Sequence, residues 1–128
     1  MIDAVTFDAQ GLIPAIIQDA KTRQVLTLCY MNREALERTF AEGKIYVYRR
    51  SQGRLMLKGE TSGHIQLVKA VYLDCEGNSL LFEVEQRVAA CHAGYFTCYY
   101  RKRGADGTLQ VVGQQVFAPQ SVYKSAGE

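Results

Sequence analysis

The sequence predicts a β-rich α+β fold in which antiparallel strands form a small, open, barrel-like sheet beside one main helix. Three observations favour this class. Short apolar runs recur along the chain, turns rich in glycine and asparagine separate them, and only one stretch has helical periodicity. The 128 residues contain no internal repeat and no interdomain linker, so we expect a single domain over residues 1–128.

After a short leader, the strands are predicted at 12–19, 25–30, 44–50, 55–57, 65–73, 80–84, 96–101 and 109–112. The first two form a hairpin across the polar turn 20–23. Pro14 fits near a strand start or on a sheet edge, because proline has no N–H to donate to a neighbouring strand. Cys29 lies within the second strand, and we interpret it as a buried core residue because free cysteine packs as a small hydrophobe.

The one helix is predicted over about 32–42. Asn32 is a favourable N-cap residue, and Gly43 is placed to end the helix at the position after its C-cap. Apolar residues recur at helical spacing and predict a face packed on the core: Met31, Ala35, Leu36 and Phe40.

Composition excludes several classes of protein. A net charge of +2 without a long basic run argues against a nucleic-acid-binding protein. No stretch approaches the roughly 20 apolar residues that span a bilayer, and the first residues lack the pattern of a secretory signal. We therefore expect a cytoplasmic protein, in which four cysteines indicate metal binding or catalysis rather than disulfides.

The stretch 74–98 concentrates the residues that carry chemistry. It contains Cys75, Cys91, Cys98 and His92, and thiolate and imidazole are the donors that zinc prefers. Three thiolates and an open position would make a catalytic site, whereas four protein donors would make a structural one. The spacing does not match the tight pairs of structural zinc folds, so unrelated buried cysteines remain an alternative. His92 adjoins Cys91 and would point to the opposite face of an extended chain, so the two residues cannot easily bind one ion together. We interpret His92 as a nearby acid–base group, and a surface or hydrogen-bonded histidine is the alternative.

Two further stretches could bind ligands. Asp74, Glu76 and Asn78 alternate, so on an extended chain their oxygen atoms would share one face and could bind Mg²⁺; a solvated acidic turn explains them equally well. The glycine-rich stretch 58–64 offers a lysine, hydroxyl groups and backbone N–H groups to a phosphate. It is not a Walker loop, and an ordinary polar turn is the alternative.

Taken in order, these motifs resemble those of the phosphoribosyl-AMP cyclohydrolase family of histidine biosynthesis. The resemblance covers nearly the whole chain. Its most diagnostic strings are Lys-Gly-Glu-Thr-Ser-Gly at 58–63 and Cys-His-x-Gly-x₃-Cys at 91–98. Further matches are Leu-Ile-Pro-Ala at 12–15, Tyr-Met-Asn at 30–32, Arg-Ser at 50–51 and Asp-Cys at 74–75.

The resemblance implies a zinc-dependent hydrolase that opens the adenine ring of N1-(5-phosphoribosyl)-AMP between N1 and C6. The product is the formimino-aminoimidazole carboxamide ribotide, at the third step of histidine biosynthesis. It also implies an intertwined homodimer, with Cys75 of one subunit and Cys91 and Cys98 of the other binding zinc, and His92 as the acid–base group. The implied substrate-binding residues are Arg50, Ser51, Lys58, Glu60, Thr61, Ser62 and His64. No nucleic-acid or membrane partner is expected.

The sequence departs from the family pattern at its implied magnesium site. Where the family has Asp-Cys-Asp-x-Asp, this chain has Asp-Cys-Glu-Gly-Asn, so the Mg²⁺ ligands would be Asp74, Glu76 and Asn78. Met56 replaces an expected tryptophan, and 88–89 reads Val-Ala in place of Gly-Pro. These departures leave two alternatives open: a diverged paralogue hydrolysing another amidine-containing purine nucleotide, and a non-catalytic zinc-binding module.

Overall fold

A four-stranded mixed sheet is the centre of the molecule. The computed structural model describes residues 1–59, 65–86 and 95–113. Within these ranges the elements are a 3₁₀ turn (Ile2–Ala4), β1 (Ile13–Asp19), β2 (Val25–Met31), α1 (Arg33–Glu42), β3 (Tyr46–Arg49), β4 (Arg54–Leu57), β5 (Gln66–Leu73), β6 (Leu80–Gln86), β7 (Arg101–Arg103) and β8 (Leu109–Val111). The main sheet has the order β2-β1-β6-β5, and β3-β4 and β7-β8 form separate two-stranded ribbons. The predicted β-rich α+β class with one helix is confirmed.

One pairing in the sheet differs from the expected antiparallel arrangement. β1 and β6 run parallel, with Ala15 opposite Leu80, whereas β1–β2 and β5–β6 are antiparallel. The antiparallel pairs are hairpins joined by short turns, which local sequence signals can predict. The parallel pair joins strands that are separated in the chain by β2, α1, β3, β4 and β5, and no local signal specifies it. The sheet is open, with β2 and β5 at its edges.

The structure confirms the predicted ends of the helix. The Asn32 side chain accepts a hydrogen bond from the Ala35 N–H at 2.8 Å, and Gly43 ends the helix in the left-handed conformation. Ala35, Leu36 and Thr39 are buried, and Phe40 packs partly buried against the core. No helix among the described residues combines the length and the hydropathy needed to cross a membrane.

The core lies between the inner face of the sheet, α1 and the β3-β4 ribbon. Residues along β1 alternate between buried and more exposed, as expected for a strand with one covered face. The largest apolar side chains that are fully buried are Ile13, Ile17, Leu26, Met31, Leu36, Ile45, Leu80, Phe82 and Val84. This packing makes the sheet a rigid support for the turns at its edges.

The prediction of a strand at 96–101 is wrong. The chain bends at 96–98, and β7 begins only at Arg101. The Thr97 hydroxyl donates to the Val25 carbonyl at 2.7 Å, and the Cys98 N–H donates to the Leu26 carbonyl at 2.7 Å. Side-chain and backbone hydrogen bonds thus attach this segment to edge strand β2, without a regular ladder among the described residues. The other predicted strands agree with the structure within two residues at each end.

Candidate functional site

A cleft of about 570 Å³ lies between β2 and the β3-β4 ribbon. Its walls bring together residues predicted from separate motifs: Arg50 and Ser51 from the turn after β3, Lys58 from the end of β4, and Cys98 from the bent segment beside β2. The remaining lining residues are Thr27, Leu28, Cys29, Tyr30, Val47, Tyr48 and Arg49. Predicted phosphate-binding residues and one predicted zinc ligand therefore share one cleft.

The cleft is electropositive. Arg49, Arg50 and Lys58 line it, and none of the described lining residues is an aspartate or glutamate. The Arg50 guanidinium lies over the Tyr30 ring, 4.1 Å from its centroid, in a cation–π contact that links it to β2. A cleft lined by charges of one sign concentrates the field and attracts anions, and phosphate is the anion that an arginine binds with two parallel hydrogen bonds.

Cys29 lies beside Cys98 in this cleft, but its chemistry differs from that of a metal ligand. It is half-buried, packs against the core, and its thiol lies 3.6 Å from the Ala15 carbonyl oxygen. Burial raises the pKa of the Cys29 thiol to about 12, although the nearby Lys58 and Arg49 act in the opposite direction. At neutral pH it is therefore a protonated thiol. The prediction that Cys29 packs against the core is therefore confirmed, but the residue also lines the cleft.

The Asp-Cys-Glu-Gly-Asn stretch forms the turn between β5 and β6. Cys75 is exposed there, and Asp74 Oδ1 accepts hydrogen bonds from the N–H groups of Asn78 at 2.9 Å and Ser79 at 3.1 Å. Gly77 has a φ of 73° and packs against the N-terminal segment, where its carbonyl accepts from the Thr6 N–H at 2.7 Å. Asp74 thus stabilises the turn, which supports the structural alternative to its predicted role in Mg²⁺ binding.

Cys75 and Cys98 of one chain lie at opposite edges of the sheet. Cys98 is bonded to edge strand β2, and Cys75 follows β5 at the other edge. At least three strand spacings separate them, or about 14 Å, whereas two thiolates on one zinc lie about 4 Å apart. No cluster of three potential His, Cys, Asp or Glu ligands occurs within 1–59, 65–86 and 95–113. An exposed thiol at one edge and a cleft thiol at the other suit a zinc site shared by two chains.

Six predicted site residues lie outside the described part of the chain: Glu60, Thr61, Ser62, His64, Cys91 and His92. Their roles stay predictions. Sequence reasoning also missed two residues of the cleft, Tyr30 and Arg49. Arg49 adjoins Arg50 at a strand end, which was an available signal, whereas the stacking of Tyr30 under Arg50 depends on how β2 and β3 pack.

Comparison with known proteins agrees with the motifs. A sequence model of the family described as phosphoribosyl-AMP cyclohydrolase matches residues 27–100. A phosphoribosyl-AMP cyclohydrolase of Pelotomaculum thermopropionicum is 48% identical over 95% of this chain and 95% of its own length. One of Methanosarcina barkeri is 49% identical over 94% of each chain. A bifunctional histidine biosynthesis protein of Thermoanaerobacter pseudethanolicus is 42% identical over 98% of this chain and 57% of its own length.

Proposed function

The chain belongs to the phosphoribosyl-AMP cyclohydrolase family, and we propose that it opens the adenine ring of N1-(5-phosphoribosyl)-AMP in histidine biosynthesis. One observation carries the proposal: the electropositive cleft that holds Arg50, Ser51 and Lys58 also holds Cys98. A nucleotide with two phosphates needs cationic groups that bind the phosphates, and the proposed zinc needs a thiolate near the reacting ring. This cleft contains both kinds of residue.

The reaction is a hydrolysis without a leaving molecule. The phosphoribosyl group on N1 gives the ring amidinium character, so C6 is electrophilic. The oxygen of water forms a bond to C6, the N1–C6 bond breaks, N1 takes one proton of the water, the other proton is released, and C6 becomes the carbonyl carbon of a carboxamide. We assign the proton transfer to His92, because imidazole exchanges protons near neutral pH.

The phosphates are proposed to bind in the cleft. The Arg50 guanidinium lies over the Tyr30 ring, and a side chain that already has this contact loses less conformational freedom when it binds an oxyanion. Lys58 is held by its backbone N–H, which donates to the Ile45 carbonyl at 2.9 Å. We propose that Ser51 and the residues Glu60, Thr61, Ser62 and His64 complete the substrate site.

We propose that Cys75 of one subunit and Cys91 and Cys98 of the other hold zinc. When bound, zinc provides water that is activated as a nucleophile at neutral pH. Cys29 is not proposed as a ligand, because the raised pKa of its thiol disfavours the thiolate. Thiolate donors have to stay reduced, which supports a cytoplasmic location.

A row of apolar residues across the outer face of the sheet supports the dimer. Ile16 of β1 pairs with Leu28 of β2 and with Leu81 of β6, and Leu81 pairs with Tyr72 of β5. Ile16 is 36% exposed, Leu28 43% and Tyr72 51%. A row that crosses all four strands on an open face is a surface that a second copy of the chain could cover.

The two ends of this row also fit the shared zinc site. Leu28 lines the cleft that contains Cys98, and Tyr72 lies three residues before Cys75. If two copies pack this row antiparallel about a two-fold axis, the Cys75 end of each copy meets the cleft end of the other. Glu83 and Glu85 of β6 are paired within the chain, with Arg23 of the turn before β2 and with Lys69 of β5, so their charges do not oppose this packing.

The direct test is turnover of phosphoribosyl-AMP by the purified protein, followed by absorbance of the opened product. We expect turnover that EDTA abolishes and Zn²⁺ restores, and an Arg50→Ala variant with a raised KM. Turnover is then measured after adding back Zn²⁺ alone, Mg²⁺ alone or both metals. A requirement for both would indicate a second metal, which we assign to Asp74, Glu76 and Asn78. A zinc-loaded protein that does not turn over this substrate would favour the diverged paralogue or the non-catalytic zinc-binding module.

A further inference from the structure

The cleft beside edge strand β2 is lined by side chains from both faces of that strand. Cys29 pairs with Ala15, which is fully buried, so the Cys29 side chain points to the core face of the sheet. Tyr30 is the next residue along β2, so its side chain points to the outer face, as that of Leu28 does. All three β2 residues line the cleft. A ligand in the cleft can therefore contact groups on either face of this strand.

The cationic side chains of the cleft divide in the same way. The Arg50 guanidinium lies over the ring of that outer-face tyrosine, 4.1 Å from its centroid. Arg49 shares one face of β3 with Val47, a buried core residue that also lines the cleft. Burial raises the pKa of the Cys29 thiol to about 12, and Lys58 and Arg49 act in the opposite direction, so their charges lie near this core-face thiol. The cleft thus contains two groups of cations, one on each side of the edge strand.

The substrate of the proposed function has two phosphates, and they differ in their position relative to the reacting carbon. The ribose on N1 is attached to the atom that is bonded to C6, whereas the ribose on N9 is attached to the other ring of the purine. The proposed zinc ligand Cys98 lines the cleft and packs against the core, as Cys29 does. When C6 lies near Cys98, the phosphate of the N1 ribose is therefore the one that lies nearer the core-face cations.

We propose that the cleft contains two phosphate subsites, in which Arg49 and Lys58 bind the phosphate of the N1 ribose and Arg50 binds the phosphate of the N9 ribose. This assignment rests on the proposed function. AMP has no N1 ribose and fills only the Arg50 subsite, so Arg49 and Lys58 are the residues that select the substrate over AMP. Phosphates held at two separate points also fix the position of the ring between them, which orients C6 for attack.

The test compares the affinities of the full-length protein for two partial ligands, measured by NMR titration of the isotope-labelled protein. AMP carries only the N9 ribose phosphate. Ribose 5-phosphate represents the phosphorylated N1 ribose, and it is titrated in the presence of saturating AMP so that the Arg50 subsite is occupied. Arg49→Gln should weaken ribose 5-phosphate about tenfold and leave AMP nearly unchanged, because a charge-assisted contact is lost in one subsite only. Arg50→Gln should weaken AMP about tenfold.

Arg54→Gln is the matched control. Arg54 lies opposite Arg49 in the β3-β4 ribbon but is not among the residues that line the cleft, so the variant removes the same charge outside the site. Both affinities should stay near their wild-type values. Lys58→Gln, on the other side of the ribbon, should repeat the pattern of Arg49→Gln and decides the question if Arg49→Gln does not fold.

Three results would overturn the two subsites. They are an equal loss of both ligands in Arg49→Gln, wild-type affinity for ribose 5-phosphate in that variant, and the same loss of ribose 5-phosphate in Arg54→Gln. Failure of the proposed function gives a different result: wild-type protein would bind the two ligands with this pattern and would not turn over phosphoribosyl-AMP. Where turnover occurs, Arg49→Gln should also raise KM for phosphoribosyl-AMP, which Arg54→Gln should leave unchanged.

Discussion

At the scale of single residues, the stack of Arg50 on Tyr30 connects the fold to substrate binding. Tyr30 belongs to β2, whereas Arg50 follows β3, so the contact exists only when both strands are in place. Tyr30→Leu removes the aromatic face, and we expect KM for phosphoribosyl-AMP to rise about two- to fivefold at nearly constant kcat. Tyr30→Phe keeps the face and should keep KM near the wild-type value.

A second arginine–aromatic pair provides the control for this prediction. The Arg38 guanidinium lies 4.8 Å from the centroid of the Tyr46 ring, on the helix side of the molecule and outside the cleft. Arg38→Ala should therefore leave KM unchanged. An unaltered KM in Tyr30→Leu, measured by steady-state kinetics at low ionic strength, would contradict the role assigned to the stack.

Gly77 shows how one residue fixes the turn that carries Cys75. Its φ is 73°, and a Cβ atom at this position would lie 2.6 Å from the Ala4 carbonyl oxygen. Gly77→Ala therefore adds a backbone clash to the strain of a left-handed conformation, and we expect a loss of about 2–4 kcal/mol in the free energy of unfolding. Denaturant titration measures this loss.

Gly11→Ala separates the two contributions to that loss. Gly11 has a φ of 77°, but a Cβ there would meet nothing within 4 Å. This variant should therefore show only the cost of the left-handed conformation, about 1–2 kcal/mol. Equal losses in both variants would mean that the N-terminal segment moves away from the turn without cost.

Single residues also show where sequence reasoning ends. Lys58, Arg50 and Cys98 could be predicted as site residues because their short motifs are specific. Tyr30 could not, because it acts through a partner on another segment, the guanidinium of Arg50. Asp74 was predicted as a metal ligand, yet the turn around it already uses one of its oxygens.

At the scale of elements, the last turn of α1 is joined to β3 by a tyrosine–carboxylate hydrogen bond. The Tyr46 hydroxyl donates to Glu42 Oε1 at 2.6 Å, and this bond, with a smaller contribution from Arg38, lowers the pKa of Glu42 below its ordinary value of 4.5. A carboxyl group with a lowered pKa stabilises the fold above its unfolded pKa, and this stabilisation is lost as the pH falls through the folded pKa.

Tyr46→Phe should therefore raise the pKa of Glu42 toward its ordinary value, which an NMR titration of the Glu42 side-chain carboxyl carbon measures. The stability difference between wild type and variant should be largest at neutral pH and shrink below about pH 4. Tyr48→Phe makes the same chemical change two residues further along β3 and serves as the control. A pH-independent stability difference would contradict the link through Glu42.

Elements with local signals could be predicted, and those fixed by distant contacts could not. The helix ends follow from Asn32 and Gly43, and the hairpins follow from the turns between alternating strands. The parallel β1–β6 pair depends on residues far apart in sequence. The bend at 96–98 depends on Thr97 reaching the carbonyl of Val25, although the aromatic residues around it are typical of a strand.

At the scale of the whole molecule, the separation of Cys75 from Cys98 within one chain leads to a prediction about two chains. If zinc lies between subunits, Cys75→Ser and Cys98→Ser homodimers should each lose zinc at both sites. A mixed dimer behaves differently, because one of its sites combines both substitutions and the other combines both wild-type cysteines. Random reassortment gives half mixed dimers, so about a quarter of the wild-type zinc content and turnover should return.

The two variants are unfolded together, refolded with Zn²⁺ and purified as dimers. Zinc content is then measured by atomic absorption, and turnover of phosphoribosyl-AMP is measured separately. Each variant refolded alone is the control, and it should remain without zinc. If both cysteines bound the same ion from one chain, every site in the mixture would lack a donor and nothing would return. Recovery near a quarter therefore requires that the two edges of the sheet, which one chain holds about 14 Å apart, meet across the subunit boundary.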